Sequence, residues 1–406
     1  MFKSKVLGST LIIAGTTVGA GMLALPLASA AMGFTTATLM LLCLWLLMLF
    51  SACLMIELHQ HADINATLHQ LAGLFLGRQG QKVVSLTMLM LFYALCAAYI
   101  SGGSEQLQTK WLEWGFDFGS KTSITVLFTA CVAGMILLGT AMVDKINRVL
   151  FGLKLVLLSV VVWALLPDVH SQYLFSMPVE QGLVISAIPV LFTSFGFHGS
   201  IPAVVKYLEG NTAALRRVMV FGSAIPLLLY VLWQGVTLGA VSQATIVEQS
   251  QLSAFIAKLT QQVGTHRLQQ LVSLFADVAL LTSFLGVSLG LFEYIQDSLR
   301  RGQTRASKLM PLLITFAPPC FFALYYPQGF IRALGYAAIA LALLAVIFPV
   351  IMVYRVRYSK NVLVQRTTHQ DVYQVKGGKF SLWLAGTCAL GVIAIQLMIS
   401  SGYLNV

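Results

Sequence analysis

No Asp, Glu, Lys or Arg occurs from Val6 to Ile56, a run of 51 positions dominated by apolar side chains. A helix crossing a bilayer needs about 20 such residues, so this run alone predicts two spans and a turn. Comparable blocks recur along the chain, separated by charges and turn residues. They predict eleven helices, over 6–31, 34–57, 83–104, 122–143, 149–167, 181–205, 217–240, 268–293, 309–326, 332–354 and 380–402. The blocks are too long for outer-membrane strands, which run to about 10 alternating residues. The chain reads as an all-α integral membrane protein with 11 transmembrane helices.

Composition agrees and narrows the class. The 406 residues are 58% hydrophobic and 10% charged, against about 25% charged in a soluble domain. Soluble enzymes, nucleic-acid binders and secreted disulfide scaffolds are excluded together. The first block is too long for a signal-peptide core of about 7–15 residues, and a second block follows at once. All six cysteines fall in apolar runs with no C-x-x-C pair, so they read as small buried residues rather than disulfides or metal ligands. No cofactor is implied.

The net charge of +11 becomes informative once it is mapped onto the blocks. Of the 25 Lys and Arg residues, only Lys110, Lys121, Lys258, Arg267 and Arg332 fall on one side; the rest share the side of the N-terminus. Positive loops face the cytoplasm. The excess charge is thus a topology signal, with the N-terminus cytoplasmic and the C-terminus periplasmic, and it implies no nucleic-acid partner. Two connections also carry helically spaced apolar stripes: Ile64, Leu68, Leu71 and Phe75, and, on the outer side, Leu252, Phe255, Ile256 and Leu259. Such stripes lie on a membrane or a helix bundle, and the outer one is a candidate lid.

Two blocks contain what an uninterrupted helix avoids. The first reads Gly15-Thr16-Thr17-Val18-Gly19-Ala20-Gly21, followed by Pro26; the sixth reads Pro189, then Thr193-Ser194-Phe195-Gly196-Phe197-His198-Gly199-Ser200, then Pro202. Glycine costs about 1 kcal/mol in a helix interior and proline removes a backbone bond, so both blocks are expected to unwind mid-membrane. Unwound backbone in lipid persists only where it lines a protein cavity. The two blocks open two sets of five, 1–5 within residues 1–167 and 6–10 within 181–357, with the eleventh helix in 380–406. Matched interruptions of this kind point to an inverted-repeat transporter with its site at the repeat interface. Free N–H groups after the first break suit a carboxylate. Open carbonyls of the sixth helix suit an ammonium, and an α-amino acid has both. Close helix packing is the alternative use of small residues.

The segments Gly15-Thr16-Thr17-Val18-Gly19-Ala20-Gly21-Met22, Ser194-Phe195-Gly196-Phe197-His198-Gly199-Ser200-Ile201-Pro202, and Leu274-Phe275-Ala276-Asp277 with Thr282-Ser283-Phe284-Leu285-Gly286 carry a resemblance. So do Gly222-Ser223-Ala224-Ile225-Pro226-Leu227 and Val375-Lys376-Gly377-Gly378. Over essentially its whole length the chain resembles the hydroxy/aromatic amino acid permease family of the amino acid/polyamine/organocation superfamily. The resemblance implies a five-plus-five inverted-repeat core in the bacterial inner membrane and proton-driven amino acid uptake. Thr17, Phe197 and Asp277 resemble the tyrosine-specific members rather than the tryptophan-specific ones, whereas Leu281 stands where a small residue is expected.

The expected substrate-binding residues are Thr16, Thr17, Gly19, Ala20, Gly21, Tyr99, Ser194, Phe195, Gly196, Phe197, His198 and Asp277. A charge deep in the bilayer is costly and therefore a functional candidate. Lys154 is either a lysine snorkelling to the surface or, by resemblance to proton-coupled members of the superfamily, a cation in the place of a sodium ion. Asp277 is a candidate to receive the substrate hydroxyl, to pair with Lys154 or to titrate. Glu105 is a third candidate for proton coupling, and His198 a candidate cap for unwound carbonyls. Tyr93 and Tyr99 are candidate pocket aromatics. No nucleophile–base arrangement, phosphate loop or metal spacing is present, so an enzyme or ATP-driven pump is not expected. The expected activity is import of L-tyrosine with a proton. Alternatives are a tryptophan or broad aromatic permease, a sodium symporter using Thr282 and Ser283, and, from another class, a passive channel.

Overall fold

The computed structural model describes residues 2–115, 120–176, 183–249, 251–263, 266–300, 308–326, 329–359 and 373–404. Residues 181–182 of the sixth apolar block and the basic Arg301, Arg305, Lys360 and Arg366 lie outside them. Among the described residues the chain is helical, with no strand. The helices that matter are α1 (Phe2–Thr17), α2 (Gly21–Ser29), α3 (Gly33–His59), α4 (Leu68–Glu113), α5 (Lys121–Leu137), α6 (Thr140–Leu165), α7 (Ile188–Thr193) and α8 (Ile201–Tyr207). After them come α9 (Thr212–Ala240), α10 (Leu252–Val263), α11 (His266–Arg300), α12 (Leu309–Tyr325), α13 (Phe330–Ala342), α14 (Phe348–Tyr358) and α15 (Gly378–Ser400).

By length and composition, eight helical stretches among the described residues are able to cross a membrane, and α5 and α12 are shorter apolar helices of 17 residues each. The chain is a multi-span membrane protein. The first apolar block divides after Thr17, and its second part α2 leads through a short 3-10 turn into α3. The sixth block divides the same way between α7 and α8.

Local sequence explains the ends and bends. Thr67 and Gln70 form a capping box that starts α4, with Thr67 Oγ1 accepting from Gln70 N and Gln70 Oε1 accepting from Thr67 N. The backbone turns at Gly77 (φ 75°), which sets the amphipathic piece carrying Leu71 and Phe75 apart from the long span beyond it. The amphipathic stripe of 252–259 is helix α10, and it buries Leu252, Phe255, Ile256 and Leu259, with α2, α4, α9 and α11 packed beside it.

Packing places the two broken segments centrally. Helix α1 lies along α9, α2 along α7, α6 along α11, and α4 between α11 and α13. Buried polar pairs cross-link these helices: Trp45 Nε1 donates to Ser223 Oγ (2.9 Å) and Ser29 Oγ to Gln234 Oε1 (2.9 Å). At one end of the bundle Arg357 binds Glu57 through two bonds of 2.6 and 2.5 Å, and Val375 N donates to the same carboxylate at 2.8 Å. Gln60 closes the corner by exchanging two 2.9 Å bonds with the backbone of Tyr373.

Candidate functional site: two helix breaks held by side chains from elsewhere

The last α-type bond of the first span is Val18 N to Ala14 O (2.9 Å); beyond it the carbonyls of Thr17 and Val18 have no partner of their own helix. Side chains supply the missing partners. Lys154 Nζ, from α6, donates to Val18 O at 2.6 Å and lies 3.5 Å from Thr282 Oγ1. Tyr230 Oη, from α9, is 2.6 Å from Thr17 O. On the other side of the break, Ala20 N donates to Ser283 Oγ of α11 (2.8 Å). Three helices thus converge on three consecutive peptide units, as buried backbone groups require.

The second break is satisfied the same way. Helix α7 ends at Thr193, whose hydroxyl lies 2.9 Å from Pro189 O and 3.0 Å from Leu334 O. The carbonyl of Ser194 accepts from Tyr230 Oη at 2.7 Å. The two breaks therefore meet at one phenol. They are close enough that a Cβ on Gly21 would sit 3.2 Å from Ser194 Oγ; a Cβ on Gly19 would sit 3.2 Å from Ser283 Oγ of α11. Both contacts are tight, and they explain glycine at these positions by space.

Met22 and Leu23 turn their amides back to Gly19 O (3.2 Å) and Ala20 O (3.0 Å), whereas the Gly19 and Gly21 amides have no hydrogen-bond partner among the described residues. Two free N–H groups stand at the start of α2, where the helix dipole favours an anion. The hydroxyl of Thr16 meets that of Ser200 at 2.9 Å, on the α1–α8 side of the breaks.

The other anticipated residues are distributed as follows. Tyr99 is buried beside Ser283. Phe195 packs edge-on against Tyr230, with ring centroids 5.4 Å apart. Phe197 stacks on His198 at 4.8 Å, and His198 caps no carbonyl of the broken helix; it is buried, with the Met48 carbonyl as the polar group it faces. Gly196 approaches Leu341 and the Thr193 carbonyl. Lys154 is 3% exposed, with its ammonium turned inward beside the Phe151 ring rather than toward a surface. Asp277 pairs with Lys110 of α4, not with Lys154. Glu105 accepts from both Ser253 N (2.8 Å) and Ser253 Oγ (2.6 Å) at the start of α10, so it tethers that helix. Tyr93 turns away, donating to Ile314 O at 2.8 Å. No group of three or more His, Cys, Asp or Glu able to hold a metal occurs among the described residues. Tyr230 was not anticipated; it stands in an ordinary apolar run, Leu227-Leu228-Leu229-Tyr230-Val231-Leu232, and nothing in that run marks it.

Comparison with known proteins decides what this arrangement belongs to. The family model described as the tryptophan/tyrosine permease family matches residues 2–396. The chain belongs to that family. Its work is therefore transport and not catalysis. It is similar to tyrosine-specific transport system 1 of Haemophilus influenzae, at 42% identity over 99% of this chain and 98% of that protein. Tyrosine-specific transport system 2 of the same organism is 38% identical over 100% and 99% of the two chains. A tryptophan-specific transport protein of Pseudomonas aeruginosa is 30% identical over 86% of each. The alignments with the two tyrosine-specific systems are nearly end to end, so the permease's paired breaks and their supporting helices fall within the matched length.

Proposed function

We propose that this permease imports L-tyrosine across the bacterial inner membrane together with a proton, by alternating access around the two breaks. The observation that carries the reading is the juxtaposition itself. Free amides of Gly19 and Gly21, both half-buried, stand beside the buried carbonyls of Thr17 and Ser194, and together they complement the two charged ends of an amino acid. The tyrosine-specific relatives at 42% and 38% identity favour tyrosine over tryptophan as the substrate. Under this reading the eleven apolar blocks form eleven helices, the first ten arranged as two inverted sets of five, with the N-terminus in the cytoplasm.

Lys154 is the proposed coupling group. Protonated, it bridges the first break to α11; deprotonated, it releases that bridge, and a group that differs between two access states in this way couples its ligand to the transition. The test is uptake of labelled tyrosine by proteoliposomes with and without an imposed pH gradient. Accumulation driven by the gradient, and resisted by excess phenylalanine, is the expected result. Equal competition by phenylalanine and tryptophan would replace tyrosine with a broad aromatic range. Dependence on sodium would remove proton coupling.

A further inference from the structure

The Tyr230 hydroxyl has one proton and two acceptors. It lies 2.6 Å from the carbonyl that ends α1 and 2.7 Å from the carbonyl of Ser194 beyond α7, and the side chain is fully buried. A hydroxyl donates one hydrogen bond at a time. Among the described residues, one of the two carbonyls is therefore left without a donor at any moment, in a setting where an unsatisfied polar group is costly. The next carbonyl along the first break, that of Val18, is already taken by Lys154. An ammonium group has three N–H donors and is able to serve both carbonyls at once.

We propose that Tyr230 is a positioning residue for the substrate's ammonium group, holding the Thr17 and Ser194 carbonyls in register so that the unserved one accepts from it. This rests on the amino acid reading above and adds to it the residue that joins the two breaks. The Phe195 ring packs edge-on against Tyr230, with centroids 5.4 Å apart, and the phenol side chain is fully buried. The hydroxyl keeps its place by packing and needs no substrate to hold it there.

The test compares three competitors of labelled tyrosine on purified parent protein and Tyr230→Phe: tyrosine, tyramine, which lacks the carboxylate, and 3-(4-hydroxyphenyl)propionate, which lacks the amine. Tyr230→Phe removes the pin and lets the two carbonyls part, so the charge-assisted bonds they make to the ammonium lengthen; tyrosine and tyramine are expected to weaken about tenfold. The deaminated acid should be unchanged, and KM for uptake should rise more than Vmax falls. Equal weakening of all three, or of none, overturns the proposal, the first outcome marking Tyr230 as a structural pin only. If Tyr230→Phe fails to fold, the parent protein gives the answer: tyramine competing at least as well as the deaminated acid supports the proposal, and the deaminated acid competing alone overturns it. A parent that binds no tyrosine overturns both this inference and the transport reading, whereas a tyrosine-binding parent with an unchanged Tyr230→Phe overturns this one alone.

Discussion

The ammonium of Lys154 donates to the carbonyl of Val18 at 2.6 Å, tying α6 to the one stretch of the first span that has no helix of its own. Lysine in hydrocarbon is tolerated where its charge meets protein dipoles, and this one meets a carbonyl left open by the break. Removing the amine takes away the titrating group and the tie together. Lys154→Ala is expected to bind tyrosine but no longer concentrate it, with uptake indifferent to an imposed pH gradient. Paired equilibrium-binding and gradient-driven uptake measurements check this; accumulation that persists in the variant moves the coupling group elsewhere.

Space at Gly21 is the second test. A Cβ there would stand 3.2 Å from Ser194 Oγ, and the bulkier branches of valine would press the two breaks apart. Gly21→Val is expected to reduce uptake by about tenfold or more, the effect of losing roughly 1.4 kcal/mol at the site, with normal amounts of protein in the membrane. Transport at the parent rate would remove this segment from the site.

Asp277 and Lys110 form an ion pair whose side chains are 29% and 22% exposed. Partly exposed pairs contribute about 0–1 kcal/mol, so neither residue should be needed for folding. Asp277→Asn and Lys110→Met are each expected to lower tyrosine uptake, and the double variant to be no worse than either single one, as coupled residues behave. An additive double-mutant cycle would mean that the two act separately.

Glu105 holds the start of α10 through two bonds to Ser253. Glu105→Ala leaves the amide and hydroxyl of Ser253 without that acceptor and should loosen α10. In detergent, a cysteine introduced at Phe255, a position 1% exposed in the parent, is expected to react with maleimide several times faster when Glu105 is Ala. Unchanged labelling would show that the apolar contacts of α10 suffice to hold it.

Charge burial predicts a contrast in stability. Arg357 and Glu57 have side chains 4% and 3% exposed, and Val375 N completes the carboxylate's partners. Deleting one member of such a pair costs about 3–5 kcal/mol, so Arg357→Met should lower the melting temperature markedly. Lys5→Met, which removes a pair with the 74% exposed Glu209, should leave it unchanged.

The sequence carries the location of both breaks because glycine and proline act locally: the helix ends at Thr17 and resumes at Gly21, inside the Gly15–Gly21 cluster, and the second break lies between Thr193 and Ile201. The amphipathic stripe of 252–259 was legible for the same reason, since helical spacing is a property of the segment alone; the other stripe loses its first member, because Ile64 lies exposed in the turn before α4 and only Leu68, Leu71 and Phe75 are helical. What joins the segments was not. Tyr230, Ser253 and Lys110 look like any residue of an apolar or loop run, and their roles come from which helix lies opposite. Asp277 was recognisable as a charge inside an apolar block, yet its partner depends on α4 passing beside α11. His198 was conspicuous by chemistry, and its stacking on Phe197 comes from the local path of the turn.

The side chains that satisfy the first break come late in the chain. Lys154 follows Val18 by 136 residues, Tyr230 follows Thr17 by 213, and Ser283 follows Ala20 by 263. A nascent chain inserts its first span when none of them has yet been synthesised. In hydrocarbon the open carbonyls of Thr17 and Val18 then have nothing to accept from, and the form of lowest energy is an unbroken helix running through Gly19. The segment unwinds only as the later helices arrive and offer better partners. Backbone geometry that looks like a local consequence of three glycines thus waits for helices far along the chain, and it is reached by exchanging bonds within one helix for bonds to three others.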